Sequence, residues 1–234
     1  MTEGIAAASP RPRARMAGAF YLLVFLTGGL AVPGFKLVIS GDAAATATNI
    51  LAHEALFRLG FAALLMNVAV YIVVTQLFYD LFTPVNRSLS LVAAFFSLLG
   101  CSVQAFACVF YLAPMVILSG GQYSNVFKAD QWQALAFVFL KLYGQAYNFG
   151  LVFFGFYCLL IGYLILRSTF LPRILGVLMV FAGLGWLTFL YPPLANDLDP
   201  YVRVPGIIGE GSLTVWLLVM GVNLQRWKEQ AGAA

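Results

Sequence analysis

Charged residues are scarce in this 234-residue chain: they make up 9% of it, whereas hydrophobic residues make up 62%. A soluble domain carries about 25% charged residues, because water must wet its surface. The composition therefore argues against a soluble enzyme, a nucleic-acid-binding domain and a disordered chain. It predicts an integral membrane protein that lipid solvates, with membrane lipid rather than nucleic acid as its partner.

Cysteine and histidine are scarce too, with three and one copies. Cys101 and Cys108 are about 10 Å apart along a helix axis, too far for a disulfide, and all three cysteines lie in apolar runs where packing explains them. No carboxylate lies one helical turn from His53, and nucleotide-binding and nucleophile motifs are missing. The sequence therefore predicts no metal site and no cofactor.

Long apolar segments are abundant, and about 20 such residues span a bilayer core as a helix. Six segments qualify: about Ala14–Ile39, Arg58–Phe82, Arg87–Ser119, Asp130–Arg167, Leu171–Tyr191 and Pro205–Trp227. The alternating pattern of barrel strands is missing. We predict an all-α, polytopic membrane helix bundle with six transmembrane helices, as a single domain over residues 14–227 between an N-terminal tail, 1–13, and a C-terminal tail, 228–234.

Positive charges predict the orientation, because cytoplasmic loops are rich in Lys and Arg. One side of the six-span arrangement holds Arg11, Arg13, Arg15, Arg87, Arg167, Arg173, Arg226 and Lys228. Both termini are therefore expected in the cytoplasm. The alternative is a cleaved signal peptide over Arg11–Ala31, which would leave an odd number of spans.

The third and fourth segments are longer than a span requires, and the excess falls on the non-cytoplasmic side. With Asp42–Phe57, which reads as an outer helix capped by Asp42, they predict a small non-cytoplasmic helical cap. Gly144 and Gly150 are the expected break points of the fourth segment. Asp197 and Asp199, in the last outer loop, are interpreted as solvated rather than as a cation site. Gly155 with Gly162, and Gly176 with Gly183, are expected to let helices approach closely.

Several strings resemble a bacterial membrane-protein family known as domain of unknown function 4386. They are Gly41-Asp42-Ala43-Ala44-Ala45-Thr46, Asn49-Ile50, Glu54, Leu56-Phe57-Arg58, Phe153-Phe154-Gly155, Cys158 to Ile165, Arg167-Ser168, Leu171-Pro172-Arg173, Leu175-Gly176, Ala182-Gly183-Leu184-Gly185, and Glu210 with Leu213, Trp216, Leu217 and Gly221. The resemblance implies an uncharacterised six-span protein of the bacterial cytoplasmic (inner) membrane. It brings no catalytic or binding residue with it.

Polar residues inside the spans are costly and indicate where function can reside. Asn67 and Tyr71 share one helix face, and Lys141, Gln145 and Asn148 share another. Counting along the helices places these faces and Gln104 in the outer half of the bilayer core. We predict a polar cavity there, with these candidate ligand-binding residues: Arg58, Asn67, Tyr71, Gln104, Lys141, Gln145 and Asn148.

Glu210, Glu54 and His53 are the candidate catalytic residues. Glu210 lies in an apolar helix and is expected to pair with Lys141 or Arg58 as a structural carboxylate; the alternative is a catalytic acid or base. Glu54 and Arg58 are spaced for an ion pair on a helix surface. His53 is interpreted as an interfacial, hydrogen-bonded residue rather than as a pH sensor.

Three functions remain open. The favoured interpretation is a membrane protein that binds a lipid or other small amphiphile in the outer-half cavity, or an accessory membrane component. The first alternative is an intramembrane enzyme that acts on a lipid or isoprenoid with a buried carboxylate as acid or base. The second is a small-solute transporter, which the scarcity of polar residues in the cytoplasmic half disfavours.

Overall fold

A computed structural model describes residues 10–119, 127–198 and 201–232. Its helices are α1 (Pro10–Phe35), α2 (Ala43–Ala52), α3 (Glu54–Phe82), α4 (Arg87–Leu118), α5 (Ala129–Arg167), α6 (Arg173–Leu187), a short 3-10 turn (Thr188–Leu190), α7 (Pro192–Leu198), α8 (Arg203–Val219) and α9 (Leu224–Gly232). The described residues contain no strand. The predicted all-α bundle of membrane-spanning helices is confirmed.

Five helical segments are each long and apolar enough to cross a membrane: α1, α3, α4, α5, and α6 with the turn that follows it. The sixth predicted span, about Pro205–Trp227, is not one continuous helix, and it counts as a span only if its two bent parts are taken together. α8 ends at Val219, and α9 continues after a bend of 103°. Gly221 adopts the left-handed conformation that closes many helices, with φ of 67°.

Gly144 and Gly150 do not break the fourth segment, contrary to expectation. α5 continues through both as one 39-residue helix, about 58 Å long. A glycine lacks a side chain but keeps both backbone hydrogen-bonding groups, and an apolar environment penalises any loss of those bonds. The helix therefore stays intact.

The chain forms two compact units. The first comprises residues 1–23, 70–100 and 151–234, and the second comprises residues 24–69 and 101–150. In the second unit, Asp42 caps α2 as expected, because its Oδ1 accepts a hydrogen bond of 2.8 Å from the backbone of Ala45. Its core centres on Phe57 and Tyr111, whose rings stack with their centroids 4.4 Å apart.

Of the two aspartates predicted to be solvated, Asp197 is exposed in α7, whereas Asp199 lies outside the described residues.

In the first unit, α5 and α6 pack through glycine, as predicted. A Cβ atom on Gly162 would lie 2.8 Å from the carbonyl oxygen of Gly176, and one on Gly183 would lie 2.8 Å from that of Gly155. Because these contacts are with backbone oxygens, a side-chain movement alone would not relieve them. The two helices therefore approach more closely than larger residues would permit.

Replacing Gly162 by Ala should force α5 and α6 apart. We expect a loss of about 1–3 kcal/mol in the free energy of unfolding in detergent. Gly144→Ala is the matched control in the same helix, because a Cβ there meets nothing within 4 Å. The control should be neutral or stabilising, by up to about 1 kcal/mol. Equal effects of the two substitutions would contradict this packing.

Candidate functional site

Glu210 lies in α8, and its carboxylate contacts polar side chains of other helices in the first unit. Its Oε2 accepts a hydrogen bond of 2.5 Å from the Tyr21 hydroxyl of α1. Its Oε1 accepts one of 2.9 Å from the Trp186 indole of α6 and lies 4.0 Å from the Cys158 sulfur of α5. Side chains of three other helices thus contact the carboxylate of α8.

A close approach of α1 and α8 places Tyr21. A Cβ atom on Gly18 would lie 2.7 Å from the backbone nitrogen of Leu218, so glycine is needed where the helices touch. One turn earlier in α1, the Arg15 guanidinium donates to the carbonyl oxygen of Val219 at 3.2 Å. Tyr21 follows Gly18 by one turn, and its fully buried hydroxyl reaches Glu210.

A glycine also leaves space for the Trp186 indole, the second hydrogen-bond donor to Glu210. A Cβ atom on Gly206 would overlap the Trp186 ring, so the indole lies directly against α8 at this position. Gly206 precedes Glu210 by one helical turn. The indole N–H consequently reaches the carboxylate from the side of α6.

Aromatic rings surround this set of donors. The Tyr71 hydroxyl of α3 lies 3.3 Å from the Tyr21 hydroxyl, and the Tyr71 ring lies 4.6 Å from that of Phe154, centroid to centroid. The Tyr157 ring is 6.2 Å from that of Tyr71. We call Glu210, Tyr21, Tyr71, Cys158 and Trp186 the Glu210 site. Three of its five side chains are aromatic.

The expected pairing of Glu210 with Lys141 or Arg58 is wrong. Arg58 binds Glu54 at 2.6 Å, and the Lys141 ammonium lies 5.1 Å from the centre of the Phe137 ring. Both cations belong to the second unit, whereas neutral donors of the first unit satisfy the carboxylate. No lysine or arginine among the described residues forms an ion pair with Glu210.

Burial differs across the Glu210 site. Tyr21 and Cys158 are fully buried, and Tyr71 is 7% exposed. Glu210 and Trp186 are only partly buried. The more exposed residues of the site are therefore Glu210 and Trp186.

The remaining candidate residues have other surroundings. Asn67 donates to the carbonyl oxygen of Val24 at 2.6 Å and to the Thr27 hydroxyl at 3.0 Å, so it joins α3 to α1 within the second unit. Gln104 is buried and Asn148 is partly buried, whereas Lys141 and Gln145 are exposed. Tyr71 is the predicted ligand-binding residue that the structure brings to Glu210.

His53 and Glu54 are exposed. His53 ends α2, and its Nδ1 lies 3.1 Å from the carbonyl oxygen of Asn49. The predicted pair of Glu54 and Arg58 is confirmed at 2.6 Å. Neither His53 nor Glu54 is among the hydrogen-bonding partners of Glu210.

Tyr21, Trp186 and Cys158 were not among the candidates. One signal was present: Tyr and Trp carry polar groups that need a partner when buried, and both lie within predicted spans. That signal indicates the need for an acceptor but not which acceptor.

A shallow apolar groove of about 770 Å³ lies between α6 and α8, lined by residues that include Leu175, Leu178, Ile208 and Val215. At 100° per residue, the groove-lining face of α8 lies roughly 160° from Glu210 around the helix. The groove therefore is not part of the Glu210 site.

The fold and the site define a polytopic helical membrane protein with one carboxylate held among aromatic donors. A model of the family described as "Domain of unknown function (DUF4386)" matches residues 16–221, so the chain belongs to this family. No curated protein and no solved structure matches the chain.

Removing the Tyr21 hydroxyl should destabilise the protein, because a hydrogen bond to a carboxylate contributes about 1.5–3 kcal/mol. We expect Tyr21→Phe to lower the free energy of unfolding in detergent by that amount. Tyr143→Phe is the matched control, because the buried Tyr143 hydroxyl has no hydrogen-bond partner among the described residues. The control should be neutral or stabilising. If both variants behave alike, Tyr21 does not hold Glu210.

Proposed function

We propose that this protein binds a small amphiphile with a cationic head group, and that the Glu210 site receives this head group. The observation that carries the proposal is a carboxylate that two neutral donors hold and that no described cation balances. An ionised carboxylate in an apolar bundle is costly unless a positive charge accompanies it. A bound amine would supply that charge.

The aromatic surroundings support the same head group. Tyr and Trp rings attract ammonium groups through their π-electrons, most strongly where water is excluded. Tyr21, Tyr71, Tyr157 and Trp186 come from four helices, α1, α3, α5 and α6, and Glu210 is the carboxylate among them. Lipid beside the helices would solvate the apolar tail of such a ligand.

An intramembrane enzyme is the second candidate, and the 2.5 Å hydrogen bond from Tyr21 to Glu210 favours it. A carboxylate and a phenol that share a proton can act as acid and base toward a substrate. We favour binding over catalysis for two reasons. Tyr21 and Glu210 already satisfy each other by a hydrogen bond, and the Cys158 thiol is buried and therefore is not an exposed nucleophile.

We further propose that the protein lies in a bacterial cytoplasmic membrane with both termini in the cytoplasm. The support is the distribution of Lys and Arg along the chain. A reporter enzyme fused after Ala234 should be active on the cytoplasmic side. Activity on the other side would overturn this orientation.

The binding proposal can be tested with three probes that share a twelve-carbon chain: dodecylammonium, dodecanol and dodecanoate. In nanodiscs of neutral lipid, dodecylammonium should bind most tightly and should raise the unfolding temperature. Glu210→Gln keeps the shape of the side chain and removes its charge. We expect this variant to bind dodecylammonium about ten-fold more weakly, equivalent to about 1.4 kcal/mol.

Glu54→Gln is the matched control, because it removes an exposed carboxylate of the second unit. Its affinity for dodecylammonium should equal that of the wild type. Equal binding of the three probes, or equal losses in the two variants, would overturn the proposal. Loss of a lipid-modifying activity in Glu210→Gln without any change in dodecylammonium affinity would favour the enzyme.

A further inference from the structure

The last helix, α9, lies across the ends of other helices of the first unit. The Trp227 indole donates to the carbonyl oxygen of Leu81, at the end of α3, at 3.1 Å. The Gln230 amide donates to the carbonyl oxygen of Arg167, the last residue of α5, at 3.3 Å. With the 103° bend after α8, these bonds hold α9 in a crosswise position.

The same contacts bring positively charged side chains of different helices close to one another. Arg226 on α9 donates to the carbonyl oxygen of Thr169 at 3.4 Å, two residues after Arg167. Arg15 donates to Val219 where α8 ends, and Arg11 packs against Gly221. The end of α5 and the residues that follow it therefore lie beside α9, and the start of α1 lies beside the bend between α8 and α9. We call the following five exposed residues the basic cluster: Arg11, Arg15, Arg167, Arg226 and Lys228.

No acidic residue among the described ones forms an ion pair with this cluster. Asp80 and Glu229 accept hydrogen bonds from neutral glutamine amides, at 3.2 Å from Gln76 and at 3.0 Å from Gln225, and the five cations outnumber these two carboxylates. Like charges held this close repel one another. An external anion would relieve the repulsion.

The buried and exposed residues of α9 indicate which kind of anion binds there. Trp227 is partly buried toward α3, whereas Gln225, Arg226, Lys228 and Glu229 are exposed. The basic residues of α9 therefore lie on its exposed face, which also carries Glu229. Clusters of four to eight Lys and Arg beside a transmembrane helix attract anionic lipids.

We propose that the basic cluster binds the phosphate head groups of anionic phospholipids. The guanidinium groups would donate paired hydrogen bonds to phosphate oxygens. α9 would hold the cluster at head-group level. This site uses none of the residues of the Glu210 site.

The test measures lipid binding to the full-length protein in a non-ionic detergent, with phosphatidylglycerol, phosphatidylcholine and inorganic phosphate as probes. Phosphatidylglycerol should bind at least ten-fold more tightly than phosphatidylcholine, and millimolar phosphate should not displace it. Each cation near an anionic surface contributes roughly five-fold in affinity. Arg226→Gln with Lys228→Gln should therefore weaken phosphatidylglycerol binding by at least ten-fold.

Lys36→Gln with Lys141→Gln is the control of equal charge, because both lysines are exposed in the second unit. Its affinity for phosphatidylglycerol should stay within two-fold of the wild type. If the α9 double variant does not fold, Arg167→Gln at the end of α5 makes the test without changing α9 and should weaken binding about five-fold. Equal losses in variant and control, no preference over phosphatidylcholine, or displacement by free phosphate would overturn the proposal.

Discussion

A carboxylate inside an apolar helix bundle must be given hydrogen bonds, and the first unit of this protein is organised around that requirement. Glu210 receives them from Tyr21 and Trp186, which belong to two other helices. Because each bond crosses between helices, the polar group that would otherwise destabilise α8 joins it to α1 and α6. The cost of burying Glu210 is thus offset by contacts that also fix the positions of neighbouring helices.

Glycine makes this arrangement sterically possible. Gly18 brings α1 against α8, Gly206 admits the Trp186 ring, and Gly162 lets α5 approach α6. Because lipid is as apolar as the side chains, no hydrophobic driving force brings helices together in a membrane. They associate instead through close packing and interhelical hydrogen bonds. Both contributions meet at the Glu210 site. Packing sets the distances over which the hydrogen bonds can form.

The sequence was sufficient to predict the helices but not their partners. Long apolar runs predict spanning helices because the bilayer core demands them, and Glu210 stands out as a charge in such a run. Its donors lie 189 and 24 residues away, and spacing along one helix carries no information about such contacts. The predicted partners, Lys141 and Arg58, have suitable charge, but they belong to the second unit. The bend after α8 was missed because Gly221 and its neighbours keep the hydropathy of a span.

Tyr21 and Glu210 stabilise the protein through their mutual contact. A double-mutant cycle of Tyr21→Phe and Glu210→Gln, read by equilibrium unfolding in detergent, measures the coupling between the Tyr21 hydroxyl and the Glu210 charge. We expect a coupling free energy of about 1 kcal/mol or more, so that the double variant loses less than the sum of the single losses. Additive losses within about 0.3 kcal/mol would show that the two side chains act independently and would contradict it.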